Sequence, residues 1–265
     1  AAMAELRLHP LFSDHAVLQS NADLPVKGWA DPGAAVTVSP SWGAAPVAVT
    51  AGADGRWAAM VKAPGPGGPH SLAVESGGQK VESTDLLSGE VWLCGGQSNM
   101  QWGLRSSRDG TAAVQAANHP QLRFFHVPMA PSAIPVESVD AGWKVCSPET
   151  AGGFSAVGFF FARKIQAETG LPVGLIGSYW GGTRVEPWID ESTLLKRAEY
   201  APLVDALKLV RETSNGKTTA ELNAEHRRHM MELLSAADPG FKAGWAKLDT
   251  DTSEWKTTEG PVDFA

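Results

Sequence analysis

Between Glu5 and about Ser88, short runs rich in Val, Thr and Trp recur at regular spacing, and turn formers separate them. The runs are Leu24–Trp29, Ala35–Val38, Val47–Thr50, Trp57–Val61 and Ser71–Val74. The breaks are Ala30-Asp31-Pro32-Gly33, Gly52-Ala53-Asp54-Gly55 and Pro64-Gly65-Pro66-Gly67-Gly68-Pro69. β-Branched and aromatic side chains suit a pleated, half-buried surface, while Gly, Pro and Asp supply the backbone angles of tight turns. Short strands at this spacing predict a small, Ig-like β-sandwich over residues 1–88. No cluster of chemistry-bearing residues stands out in it, so this module reads as structural or sugar-contacting.

The pattern changes near Leu86. Val91-Trp92-Leu93-Cys94 reads as a short apolar strand ending in Gly95-Gly96, and Leu122–Val127 as a second strand closed by Pro128. Phe154 to Thr169 carries apolar residues at helical spacing (Val157, Phe160, Phe161, Ile165) and stops at Gly170, a suitable C-terminal cap. Val173–Ser178 follows as another buried strand. Helix then apolar strand is the pattern of an α/β layer with a parallel sheet. This part is predicted over residues 89–240, its stretch from 186 to about 237 mostly helical, with Pro239-Gly240 as a stop. Residues 241–265 read as a linker or the start of an inserted β domain, which the chain leaves unfinished.

A chain of 265 residues can bury a substantial core and divides more comfortably into two domains than one. Its formal charge of -7 and lack of any basic run exclude a nucleic-acid footprint. The apolar stretches are shorter than the roughly 20 residues that span a bilayer, so no membrane helix is expected. Cys94 and Cys146 lack the spacing of a zinc or redox motif, and free thiols are expected. His226 and His229 form His-x-x-His, but Arg227 and Arg228 would repel a cation and no third ligand is suggested, so no metal is expected. The opening Ala1–Ala4 reads as a processed export-signal end or a cloning remnant. Trp is over-used against Tyr, 10 to 2. Its flat face suits stacking on sugar rings, although filling cores and domain seams is the commoner use.

Cys94-Gly95-Gly96-Gln97-Ser98-Asn99-Met100-Gln101-Trp102 carries the chemistry. A serine directly after a strand, in a glycine-assisted turn, projects its hydroxyl at the C-terminal edge of the sheet, where open α/β sheets bind ligands. Its backbone N–H can then face a developing oxyanion. The logic is that of a nucleophile elbow, though the residues do not match Gly-x-Ser-x-Gly. The competing reading is a turn serine that caps the following helix.

Gly96-Gln97-Ser98-Asn99-Met100, with the lead-in Leu87-Ser88-Gly89-Glu90-Val91-Trp92, resembles the nucleophile block of SGNH-type esterases, particularly the sialate O-acetylesterase family. A second matching block is Gly174–Thr183 with Glu186-Pro187-Trp188; a third is Leu11–Gln19 with Gly28–Gly33. The resemblance implies an SGNH-hydrolase-like three-layer α/β domain, incomplete in this chain, behind the β-sandwich. It implies Ser98 as nucleophile, with its own N–H and that of Gly182 or Gly181 lining the oxyanion hole. Gln97 and Asn99 would hold the turn or contact substrate, and Arg184 and Trp188 would contact a sugar, a salt bridge and core packing being the plainer alternatives. The substrate would be an O-acetylated carbohydrate, cleaved without metal or organic cofactor, in the periplasm or outside the cell.

A serine nucleophile needs a base, usually a histidine oriented by a carboxylate. The family carries it in an Asp-x-x-His pair near its C-terminus, and no Asp-x-x-His occurs in this sequence. A C-terminal part of the same precursor is therefore the expected partner. Among the local histidines, His126 is the least implausible stand-in, and packing is the stronger reading even there. The rival functions are a non-catalytic carbohydrate-binding protein with a vestigial serine, and a general lipase or thioesterase.

Overall fold

The computed structural model describes residues 5–132, 134–214, 217, 219–237, 240, 243–245, 247, 249–253 and 255. Ala1–Ala4, Pro239 and residues 256–265 lie outside the described residues. The strands are β1 Arg7–Leu8, β2 Val17–Gln19, β3 Asp23–Trp29, β4 Ala35–Pro40, β5 Val47–Thr50, β6 Arg56–Lys62, β7 Gly67–Ser76, β8 Gln79–Gly96, β9 His119–His126, β10 Trp143–Cys146 and β11 Val173–Tyr179. The helices are α1 Ser98–Gln101, α2 Gly110–Gln115, α3 Ala156–Thr169, α4 Glu191–Leu194, α5 Ala201–Thr213 and α6 Thr219–Ala237. The helices α5 and α6 fall in a second compact unit, made of residues 130–135 and 198–265. No helix among the described residues is long and apolar enough to cross a membrane.

One antiparallel sheet runs β1-β3-β6, and a mixed eight-stranded sheet runs β10-β9-β11-β8-β7-β4-β5 with β2 against β8. The five N-terminal runs read from the sequence became β3 to β7, because alternate residues of each point inward. Val26, Trp57, Ala59, Val61, Val36, Val38, Leu72 and Val74, drawn from both sheets, share one buried cluster. The first half of β8 escaped the sequence reading. Its exposed face carries Lys80, Glu82 and Thr84, and that polarity hides the strand signal.

The expected short strand Val91–Cys94 is thus the last part of an 18-residue strand. The first half of β8 pairs antiparallel with β7 (Val74↔Val81), and the second pairs parallel with β11, from Val173↔Glu90 to Tyr179↔Gly96. The strand β11 pairs parallel with β9 on its other side (Gly177↔His126). A single backbone therefore runs from the N-terminal β region into the parallel layer and ends at the motif.

On one face of that layer lies α3. Its N-cap Ser155 accepts the Gly158 N–H at 3.1 Å, and Gly170 closes it at φ 71. Of the four apolar residues at helical spacing, Phe160 and Ile165 pack half-buried against the core, while Val157 and Phe161 are exposed and Ala156, Phe159 and Ala162 are buried. Small residues set the contact. A methyl group at Gly158 would lie 3.2 Å from Cys94 Sγ, so the helix approaches the sheet too closely for larger side chains there. The opposite face contributes Val91, Phe125 and Ile176 to the cluster of the N-terminal β region.

Arg123 on β9 is 5% exposed at its side chain and donates to both carboxylate oxygens of Asp85 on β8, at 2.7 and 3.3 Å. His15 Nδ1 lies 2.7 Å from the same carboxylate. The Arg123 guanidinium, opposed by burial and helped by His15, holds the Asp85 carboxyl below its usual range. A depressed carboxyl contributes stability above the ordinary carboxylate pKa, and that contribution is lost as pH falls through the lowered value. Asp85→Asn strands a buried cation, at a cost of about 2 kcal/mol after allowing for solvent around Asp85. In urea titrations the variant should be less stable at pH 7 and should lose less of its stability below pH ~4 than the parent. Equal acid limbs would show that the pair carries no such coupling.

Both cysteines are free and buried. Burial raises both thiols, Cys146 up to about 11, so neither is a thiolate at neutral pH. A thiol-reactive dye should label neither in the native protein and both after denaturation.

Candidate active site

The nucleophile candidate sits on a bend that glycine makes possible. Gly96 ends β8 at φ 151, a conformation L side chains rarely adopt, and a methyl group there would lie 3.0 Å from Met100 Cβ. Gln97 follows, and α1 begins at Ser98, closed by the Gln101 N–H bonding to Gln97 O at 2.8 Å. Ser98 is exposed, and no described group bonds to its hydroxyl. The N-cap of α1 is Gln97, which makes no side-chain cap. Ser98 therefore does not serve as a capping serine.

The neighbouring strand supplies the opposite wall. Trp180 N–H continues the β11–β8 ladder to Gly96 O at 3.1 Å. The chain then turns, with the Thr183 N–H and Oγ1 both donating to Trp180 O and Gly182 at φ 78. The Gly181 N–H donates to Gln101 Oε1 at 2.5 Å, and no described group accepts from the Gly182 N–H. A methyl group on Gly181 would lie 3.3 and 3.4 Å from Ser98 Cα and Cβ. The Trp180–Thr183 turn thus rests directly on the serine.

Two shallow recesses open at this strand edge. One, of about 290 Å³, is lined by Ser98, Gln101, Trp102, Gly103 and Ser106. The other, of about 360 Å³ and mostly apolar, holds Gln97, Arg184, Val185 and Trp188 beside Gly95 and Gly96. Each has an exposed tryptophan whose indole N–H is tied down, Trp102 to Ser106 O and Trp188 to Thr183 Oγ1, both at 2.9 Å. Trp188 is accordingly not a core residue. Arg184 is exposed and forms no ion pair among the described residues. Gln97 and Asn99 make no side-chain hydrogen bond, so neither holds the turn by that means. A larger recess of about 650 Å³ lies in the N-terminal β region, where the Arg7 guanidinium sits 5.0 Å above the Trp29 ring.

The histidines from His9 to His126 are engaged elsewhere. His9 stacks on Trp29 and bonds to Leu11 N and Glu137 O, and His15 faces Asp85. His70 meets the edge of Trp42, and His119 lies against Phe159. His126 ends β9 against Tyr179, and burial, then Lys144, lowers its pKa, which keeps it neutral. The strands β9 and β8 flank β11 on opposite sides, two strand spacings or about 10 Å apart. That separation removes His126 from direct reach of Ser98. His229 is exposed on α6, and the His226 side chain lies outside the described residues. No group of three metal-ligating side chains occurs among the described residues.

Of the two roles expected for Gln97 and Asn99, the side-chain bond that holds the turn is made by Gln101 instead. Its place three residues after Ser98 puts both on one side of a single helical turn, but that spacing does not disclose the contact with Gly181. Gly96→Ala should lower stability by about 1–2 kcal/mol, because it forces a strained backbone. Gly95→Ala, with its nearest neighbour 3.9 Å away, should change stability by less than about 0.5 kcal/mol in the same urea titration.

No family model matches the chain. It is 31% identical over 194 residues to the sialate O-acetylesterases of Pongo abelii and Homo sapiens, an alignment covering 66% of this chain and 37% of each relative. The Mus musculus sialate O-acetylesterase is also 31% identical, over 187 residues. A solved carbohydrate acetylesterase from Xanthomonas citri superposes with a TM-score of 0.68 at 41% identity, covering 74% of this chain and 45% of that one. The resemblance read from the three sequence blocks is therefore real, and the mixed α/β fold agrees with that of a carbohydrate acetylesterase. The chain spans a little over a third of the length of the curated relatives it matches.

Proposed function

We propose that this relative of the sialate O-acetylesterases is a serine esterase that removes acetyl groups from carbohydrates, with Ser98 as nucleophile. The observation that carries the reading is the exposed, uncapped Ser98 between two glycine turns, Gly96 and Gly181-Gly182, at the C-terminal edge of a parallel sheet. A turn that merely reversed the chain would not need a strained glycine on one side of the hydroxyl and an unengaged N–H on the other.

In the proposed reaction Ser98 Oγ attacks the acetyl carbonyl, and its proton passes to a histidine base. The oxyanion is held by the N–H groups of Ser98 and Gly182; Gly181 is excluded by its bond to Gln101. The alcohol leaves with a proton from the same histidine, and water then releases acetate and regenerates Ser98. Trp188 and Arg184 face the sugar from the 360 Å³ recess, the indole by stacking and the guanidinium by hydrogen bonding. The N-terminal β region is the accessory sandwich of this scheme, in an Ig-like arrangement.

The base is assigned to a further segment of the same protein bearing Asp-x-x-His. Two observations favour this. The chain accounts for 45% of the length of the solved acetylesterase. From Glu90 to Gly96, β8 is laddered on one side only among the described residues; Trp92 and Leu93 of that stretch are exposed, Leu93 at 71%, as is Phe161, whose ring lies 4.9 Å from that of Trp92. An unpaired edge beside apolar side chains suits a docked strand.

A fluorophosphonate, which reacts with activated serines, should label Ser98 in the purified protein, and Ser98→Ala should abolish the labelling. Acetyl esters should turn over faster than octanoyl esters by about tenfold or more, since a shallow open recess gives a long acyl chain little to bind. Sugar binding without labelling would favour the carbohydrate-binding rival, and preference for octanoyl would favour a lipase. Denaturing mass spectrometry of active material should reveal a polypeptide segment carrying Asp-x-x-His. Activity from a species lacking one would overturn the assignment of the base.

A further inference from the structure

We infer that Gln101 is a positioning residue of the oxyanion site: its side-chain carbonyl fixes the Gly181 N–H, and through it sets the Gly182 N–H over Ser98. The inference rests on the esterase reading and goes beyond it in naming what holds the two halves of the site in register. Three segments meet at this one amide. Gln101 belongs to α1, its Oε1 accepts from Gly181 after β11 at 2.5 Å, and its Nε2 lies 3.1 Å from the sulfur of Met129, in the stretch that follows β9.

The contact is close on every side. A methyl group on Gly181 would sit 2.8 Å from Gln101 Oε1 as well as against Ser98, so the turn has no slack in which to shift. The closing bond of the turn, from Thr183 N–H to Trp180 O, uses neither N–H of its two central residues. Gln101 engages the first of them, at Gly181, and leaves the second, at Gly182, unpartnered among the described residues. Without the Gln101 carbonyl, the Gly181 peptide would be free to rotate and carry the Gly182 N–H off line.

The neutrality of the amide matters as much as its reach. A glutamate here would also accept from Gly181, but it would place a negative charge beside a developing oxyanion. Like charges this close to each other raise the barrier. Below its own pKa a glutamate becomes a neutral carboxyl of the same shape, and the penalty should vanish.

The test compares the purified protein with Gln101→Met and Gln101→Glu. Labelling by a fluorophosphonate is resolved into the reaction rate constant and the affinity of the reversible complex, and amide hydrogen exchange at Gly181 and Gly182 is read by NMR. Gln101→Met should lower the rate constant about tenfold to a hundredfold with little change in affinity or melting temperature. Gly181 should exchange slowly in the parent and fast in Gln101→Met, while Gly182 exchanges fast in both. The rate constant of Gln101→Glu relative to the parent should climb as pH falls from 8 towards about 4. A merely structural contact would give a flat ratio, because Glu and Gln accept the same bond. Fast exchange of Gly181 in the parent overturns the inference whatever the labelling shows. A labelled parent with a Gln101→Met variant of equal rate overturns it and leaves the esterase reading standing. A parent that does not label at all sinks the esterase reading, and the inference with it.

Discussion

The hydrogen-bond ladder of β8 is the constraint on which the rest of the molecule depends. In its first half the strand closes the antiparallel part of the sheet against β7. In its second half it forms the parallel layer with β11. Parallel pairing needs both strands to emerge at the same edge, so the chain leaves β8 at Gly96 and β11 at Tyr179 side by side. Each exit then turns on glycine, and the two turns meet at Ser98. The site is a consequence of strand register: a slip of one residue would turn Cys94 out of the core and carry the bend at Gly96 away from Trp180.

This linkage explains why the β region and the parallel layer share side chains. Gly174 on β11 has no room for a methyl group, which would sit 2.7 Å from Val17 Cβ and 3.0 Å from the Trp143 ring. Trp143 in turn bonds through Nε1 to Leu11 O at 3.0 Å and belongs to the cluster of the N-terminal β region. The Asp85–Arg123 pair joins the two parts by charge. Distortion in the β region is thereby transmitted to the strands that end beside Ser98, β8 and β11.

The sequence disclosed what periodicity and turn chemistry can disclose. The runs that became β3 to β7 alternate inward and outward between Gly/Pro breaks, and α3 announces itself by Ser155 and Gly170 at its ends. The first half of β8 was illegible because a strand with one solvated face and polar residues on it resembles a loop. The inward face of α3 was legible only in part: Phe160 and Ile165 do pack on the core, but Ala156, Gly158 and Ala162 lie on the buried face too, and small residues add little to an apolar pattern. At the site, the glycine-flanked Ser98 was legible, being local. The contact between Gln101 and Gly181 spans 80 positions and depends on register, so no local pattern could signal it.

The direction from which a base must arrive follows from the same strand order. The Gly181-Gly182 turn lies on the β11 side of Ser98, because it leaves the strand paired to β8 there. An oxyanion donor and a general base act on different atoms, the carbonyl oxygen and the attacking hydroxyl, and cannot occupy one approach. On the esterase reading the histidine therefore comes from the opposite side of β8. That is the side on which β8 is unpaired from Glu90 onward among the described residues, and Trp92 and Leu93 of this stretch stand exposed. A segment docked along this edge would cover the apolar side chains, complete the ladder and deliver the imidazole to Ser98 in one act. Burial of the edge and activation of the serine would then be coupled.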